Sequence, residues 1–282
     1  MFTRVAHHPF VVRLKSRYLQ ADRREFLIAL ATSVVFGVVA FLSANFTQNS
    51  DGVATIWPAN GIVLAALILA HPNQSRFSVL GFTCLANLIA NFLAHTTLIA
   101  NIGFSLTNIL EIGSAYSLLK ARETAPFEFR SVRFFASFTL AAVTACVLSA
   151  VAAAIVADLT LQAVSWRVLA SWLFADLLGL LTVTPALVRL CQGRDTPTHA
   201  TSRLEQYGLF AVLTATMVLV VGLPQPLLAF LVIPTLVLIA CRLGPYETSA
   251  AALLMSAIVL GCTALGFGHN SAITAVAMLT DI

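Results

Sequence analysis

Residues 56–70 read IWPANGIVLAALILA. From Ile62 onward the stretch is what a lipid-buried helix requires: uncharged, continuous and rich in Leu, Ile and Ala. The opening is not, because Trp57, Pro58, Asn60 and Gly61 interrupt it. Composition decides how to read the apolar part. Of 282 residues, 59% are hydrophobic and only 10% are charged, with a mean hydropathy of +0.91. A soluble domain carries roughly 25% charged residues, so this chain has too little polar surface to cover a water-soluble body. It reads as an integral membrane protein, and IWPANGIVLAALILA as one of its membrane helices.

A helix needs about 20 mostly apolar residues to cross the hydrocarbon core. Uncharged apolar runs place nine spans, near 26–46, 54–70, 77–95, 98–119, 134–157, 165–188, 207–222, 226–241 and 248–268. Two of them, 54–70 and 226–241, are short. The expected fold class is all-α, a polytopic transmembrane helix bundle with a cytoplasmic N-terminus. Residues 1–25 read as a basic cytoplasmic flank against lipid headgroups, ending RLKSRYLQADRRE. No small-x-small cleavage site follows the first span, which therefore reads as a retained signal anchor.

The Lys and Arg positions test this count. With the N-terminus inside and nine alternating spans, 15 of the 16 basic residues fall on the cytoplasmic side and only Arg167 falls outside. One missed span would reverse every later assignment, so the agreement supports the whole topology. The net charge of +4 is accounted for by these flanks, and no nucleic-acid partner is expected. Nine spans leave Ile282 on the outer side, so a tenth span beyond it is expected.

Chemistry outside the bundle is not expected. The inner loops KARETAPFEFRSVR (120–133) and RLCQGRDTPTHATSRLEQ (189–206) are too short to house an enzyme. There is no Gly-rich phosphate loop, nucleophile elbow or HExxH, so no catalytic residue and no cofactor are assigned. The five cysteines, Cys84, Cys146, Cys191, Cys241 and Cys262, show no C-x-x-C spacing and read as packing residues. His95 and His269 fall on the outer side, and two loop histidines do not make a metal site.

Inside the spans, two acids stand out. Glu111 lies within LIANIGFSLTNILEIGSAYSLL and Asp176 within SWRVLASWLFADLLGLLTVTPALV, with no Lys or Arg at comparable depth. Ionisable residues in hydrocarbon are read as functional by default. Their charge must be handled by protonation, by hydrogen bonds from neutral amides, or by a bound cation or cationic ligand. Amides are at hand. Asn101, Ser105, Asn108 and Glu111 form one helix stripe, and Thr83, Asn87 and Asn91 another on the preceding span. Such stripes serve either as interhelical glue, at roughly 0.6 kcal/mol per bond, or as the lining of a cavity. On the second reading Asn87, Asn91, Asn108, Glu111 and Asp176 face a ligand beneath Trp57 and Asn60.

That returns to the opening stretch. Pro58 fits a first helical turn, Trp57 suits the headgroup level, and Gly61 permits close backbone approach. Asn60 is placed to hydrogen-bond a neighbour or a ligand. The segment reads as the lip of an outward-facing pocket, or as a plain helix start with an aromatic anchor.

IWPANGIVLAALIL followed by SWLFADLLGLLTVTPALV resembles the membrane-associated sensor domain family of bacterial signalling proteins in its first described type (MASE). Its Trp-Pro-x-x-Gly and Trp…Asp-x-x-Gly…Pro patterns correspond here to Trp57, Pro58, Gly61, Trp172, Asp176, Gly179 and Pro185. CRLGPYETSAAALL resembles its later Arg-x-Gly segment. The resemblance implies that residues 26–282 are a sensor domain in the bacterial inner membrane, the input module of a GGDEF diguanylate cyclase in c-di-GMP signalling or of a histidine kinase. It implies an unknown small ligand or membrane partner protein, a homodimer formed through the output domain, and a last span and C-terminal output beyond Ile282. It adds Trp172 to the candidate ligand-binding residues, which are otherwise Trp57, Asn60, Gly61, Asn87, Asn91, Asn108, Glu111 and Asp176. The alternatives are a secondary transporter or solute-binding membrane subunit, since the two short spans each carry a proline (Pro58; Pro234), and a membrane scaffold.

Overall fold

The computed structural model describes residues 9–48, 53–54, 56–70, 76–123, 127, 129, 131–161, 165–193, 202–223 and 226–265. They form nine α-helices in the order α1 Pro9–Phe46, α2 Ala59–Leu69, α3 Arg76–Leu93, α4 Leu98–Arg122, α5 Val132–Leu161, α6 Ser165–Gln192, α7 Arg203–Gly222, α8 Val232–Arg242 and α9 Pro245–Ala264, with a 3-10 turn Pro226–Leu231 leading into α8. These helices follow the nine apolar runs. The basic flank is described as backbone from Pro9, continuous with α1, whereas His269 and the tail beyond Leu265 lie outside the described residues.

Among the described residues, seven helices are long and apolar enough to cross a membrane. Large apolar side chains such as Val34, Leu106, Ile155 and Phe174 point out of the bundle, as a lipid-facing surface requires. The chain is a multi-pass membrane protein.

The two short runs form short helices, and α2 carries the more consequence. Its 11 residues rise about 16 Å at 1.5 Å each, roughly half the hydrocarbon thickness. Pro58 precedes it with φ −77°, and before Pro58 the chain is non-helical, tied back to the end of α1 by an antiparallel bridge between Gln48 and Ala54. Non-helical backbone at membrane depth is tolerated only where protein buries it or where it lines a cavity. Both conditions hold here: Val53, Trp57 and Pro58 are buried, and Val53, Ala54 and Trp57 line a cavity. Helix α2 is buried over most of its surface, from Ala59 and Val63 to Leu64 and Leu67, with Ile62 and Ala66 half-buried and Leu69 exposed along one stripe. It is a central strut held by α1, α4 and α6, not a lipid-facing span.

Around it, α1 packs on α3, and α5 lies between α4 and α6. Small residues of α5, among them Ala142, Ala145, Cys146 and Ala153, are fully buried and let the backbones approach. Helices α7, α8 and α9 share a separate apolar cluster around Leu213, Met217, Ile239 and Ala251, and join the rest chiefly where α9 packs on α6. At one end, Arg242 Nε donates to Glu205 Oε1 at 2.7 Å, linking α8 to α7. Both side chains are partly exposed, so the pair contributes little.

Candidate functional site

The site begins at a backbone crossing. A Cβ on Gly179 would run into the Trp57 carbonyl and lie 3.1 Å from the Pro58 Cα, and one on Gly61 would lie 2.7 Å from the Gly179 carbonyl oxygen. The two motif glycines are therefore where the start of α2 and the middle of α6 touch, main chain to main chain. One turn further along α6, Thr184 Oγ1 donates to the Gly61 carbonyl at 3.0 Å. Thr184→Val is expected to cost about 0.6 kcal/mol, and at most about 1.7 kcal/mol, the range for hydrogen bonds between membrane helices. Reversible unfolding in mixed micelles checks this.

The crossing sets Asn60 into the bundle, 0% exposed. Its Oδ1 accepts from Trp57 Nε1 at 3.2 Å, and its Nδ2 donates to Asn108 Oδ1 and to Glu111 Oε1, both at 2.9 Å. Every polar hydrogen and acceptor of that carboxamide is thus used in one orientation. Glu111, also 0% exposed, accepts at its other oxygen from the Ser149 hydroxyl of α5. Four elements converge on one carboxylate: α2 through Asn60, α5 through Ser149, α6 through Asp176, and α4, which carries Glu111 itself.

Asp176 is the unsatisfied member. The residue is 2% exposed and its carboxyl is in hydrogen-bond contact with that of Glu111, but Oδ2 receives no donor from the described residues. Two carboxyl groups bond only through a proton held between them. Among the described residues no Lys or Arg bonds to either.

Above this pair lies a cavity of about 240 Å³. It sits at the end of the bundle where α1 and α3 finish and α4 begins, with Gln48, Val53 and the α3–α4 turn at its rim. Trp57, Phe104, Asn108, Trp172 and Asp176 line it further in. The Phe104 and Trp172 rings stand 5.3 Å apart, and Trp172 Nε1 is buried with no partner. At the rim, His95 adopts a left-handed conformation with φ 61°, uncommon for a non-glycine residue.

Of the residues singled out from sequence, Trp57, Asn91, Asn108, Trp172 and Asp176 line the cavity. Asn60 and Glu111 lie beneath it as the hydrogen-bonded support, and Gly61 makes the α2–α6 crossing. The structure does not bring Asn87 to the cavity lining: its carboxamide is buried with neither atom bonded, and nothing explains it. Part of the asparagine pattern is glue. Asn101 Nδ2 donates to the Leu88 carbonyl at 2.9 Å, holding α4 to α3, and within α4 the Ser105 hydroxyl donates to Asn101 Oδ1 at 3.3 Å. Sequence reading missed Ser149, a hydroxyl in an alanine-rich face whose only signal was that lone polarity, and Phe104, Thr96 and Thr97 of the cavity wall. No group of three or more His, Cys, Asp or Glu able to hold a metal occurs among the described residues.

The family model MASE1 matches residues 27–279. No curated protein and no solved structure matches the chain.

Proposed function

The chain belongs to the MASE1 family of membrane-associated sensory domains, and on that premise we propose that it senses a small molecule bound in the cavity above Asp176 and passes the signal to a C-terminal output domain. The observation that carries this reading is the buried Asp176 Oδ2, which no donor among the described residues reaches, on a residue that lines an open cavity. A buried polar atom without a partner is costly, and a ligand that supplies the partner favours the helix arrangement that presents it.

Arrangement of the helices supports a route for the signal. A ligand touching Trp57 and Asp176 bridges the lead-in to α2 and the middle of α6, the two segments that meet at Gly61 and Gly179. Helix α6 packs on α9, the last helix described, so a shift at the crossing reaches the C-terminal side. Differential binding to two arrangements is all that a population shift needs. The positive-inside distribution supports a cavity that opens on the outer side of the membrane, on this reading the bacterial inner membrane. The output is a diguanylate cyclase acting through c-di-GMP, or next a histidine kinase, working as a homodimer.

Asp176→Asn tests this directly. With the protein joined to its output in cells, the variant is expected to change signalling by about 5-fold or more, the usual scale of allosteric coupling, at unchanged membrane abundance. Normal signalling from a normally inserted variant would sink the role of the site.

The transporter reading rests on the two short helices. They do not form a matched pair: α2 packs in the body with α6, α1 and α4, while α8 packs with α7 and α9. Substrate sites of inverted-repeat transporters lie where the repeats meet. Solute counterflow in proteoliposomes separates the readings, because a sensor moves nothing.

A further inference from the structure

Trp172 and Asp176 stand four residues apart on α6, hence on one face of the helix. Both line the cavity, and each carries a buried polar atom with no partner: the Trp172 Nε1–H, a donor, and Asp176 Oδ2, an acceptor. The groups around them are one-sided. Glu111 lies against Asp176 and is fully occupied by Asn60 and Ser149, so it has no donor to give. Among the described residues no Lys or Arg lines the cavity, and the basic one that does is His95 at the rim. Arg167, also on α6, lies over the Trp166 ring instead, 5.5 Å from its centroid. The walls include the rings of Trp57, Phe104 and Trp172, and aromatic rings attract cations.

We propose that the ligand is a small primary or secondary amine, bound as its ammonium to Asp176 and carrying a hydrogen-bond acceptor for the Trp172 indole N–H. This rests on the reading of the cavity as the ligand site. One group supplies both things the carboxyl pair lacks. The ammonium N–H is the donor that Asp176 Oδ2 does not receive, and its charge offsets the negative charge left on the proton-sharing pair. A neutral alcohol supplies the donor alone, and an anion neither. Size narrows the class, since about 240 Å³ falls below the roughly 300–1,000 Å³ of drug-sized sites. The cavity fits an amino alcohol or a small aromatic amine, not a peptide.

The protein in lipid nanodiscs should be titrated by calorimetry with ethanolamine, propanolamine and tyramine. Each is compared with its uncharged counterpart bearing hydroxyl for amine: ethylene glycol, propanediol and tyrosol. At least one amine is expected to bind saturably, with its counterpart about 30-fold weaker or more, the scale for losing one partner of a buried charged contact. Asp176→Asn is expected to abolish that preference, and Trp172→Phe to weaken binding while keeping it. Equal binding of amine and alcohol, a preference that survives Asp176→Asn, or no amine binding at all would each overturn the inference. The comparison of amine with alcohol uses the unaltered protein, so it stands even if a variant fails to fold. Should Asp176→Asn still alter signalling while every amine fails, only the ligand class falls. If signalling is unaltered as well, the sensing site falls with it.

Discussion

Gly179→Ala is expected to lower the stability of the bundle by about 3 kcal/mol, the upper end of the usual cost of overpacking. The added methyl meets the Trp57 carbonyl and the Pro58 Cα, which are main-chain atoms and cannot rotate away. To admit it, the lead-in to α2 must lift off α6, which pulls Asn60 from Glu111. Gly61→Ala meets the Gly179 carbonyl oxygen at 2.7 Å and the Val183 Cβ at 3.0 Å and should behave alike. Gly113 and Gly81, also in helices, have nothing within 4 Å of an added Cβ. Alanine there should be neutral or stabilising by about 0.5–1 kcal/mol, from helix propensity alone. Unfolding of the four variants in mixed micelles checks the contrast. Equal stability of Gly179→Ala and Gly113→Ala would show that the backbones do not touch.

A second large effect is expected at Glu111. Glu111→Leu removes the acceptor of both the Asn60 amide and the Ser149 hydroxyl; the hydroxyl keeps the Cys146 carbonyl at 3.1 Å, so the Asn60 N–H is the donor left stranded. At about 1–3 kcal/mol for the stranded N–H and about 0.5–1.5 kcal/mol for the lost Ser149 bond, the loss should reach about 1.5–4.5 kcal/mol. Glu111→Gln should cost about 1 kcal/mol, the scale of a single hydrogen bond. The Gln carbonyl takes the Asn60 bond while its amide faces Ser149, whose hydroxyl turns to accept. Asn60 cannot turn in compensation, because its Oδ1 is held by Trp57 Nε1. The difference between Leu and Gln separates hydrogen bonding from charge. If both variants unfolded equally, the ionised carboxylate itself would be what the bundle requires.

The division between sequence and structure follows from the range of the forces involved. Membrane character, the nine helices and the small number of polar side chains inside them could be read from the chain alone, because lipid makes each helix satisfy its own backbone hydrogen bonds. Apolar run length then marks a helix with no reference to its neighbours. Pro58, Asn60, Gly61, Glu111 and Asp176 drew notice for the same local reason: each is a residue that hydrocarbon disfavours. What they do was beyond that reading. An intramembrane asparagine looks the same in sequence whether it binds helix to helix, as Asn101 does at the Leu88 carbonyl, or supports a carboxylate, as Asn60 does. The side of α3 and α4 turned to a neighbour and the depth of a crossing depend on contacts between residues far apart in the chain. Gly61 and Gly179, or Glu111 and Ser149, meet only when four helices have packed. Only the tertiary structure could make α2 a buried strut, leave Asn87 away from the cavity, and bring an unsatisfied Asp176 to its wall. Side-chain hydrogen bonds act over about 3 Å, and no pattern along a single helix records which other helix comes within that distance.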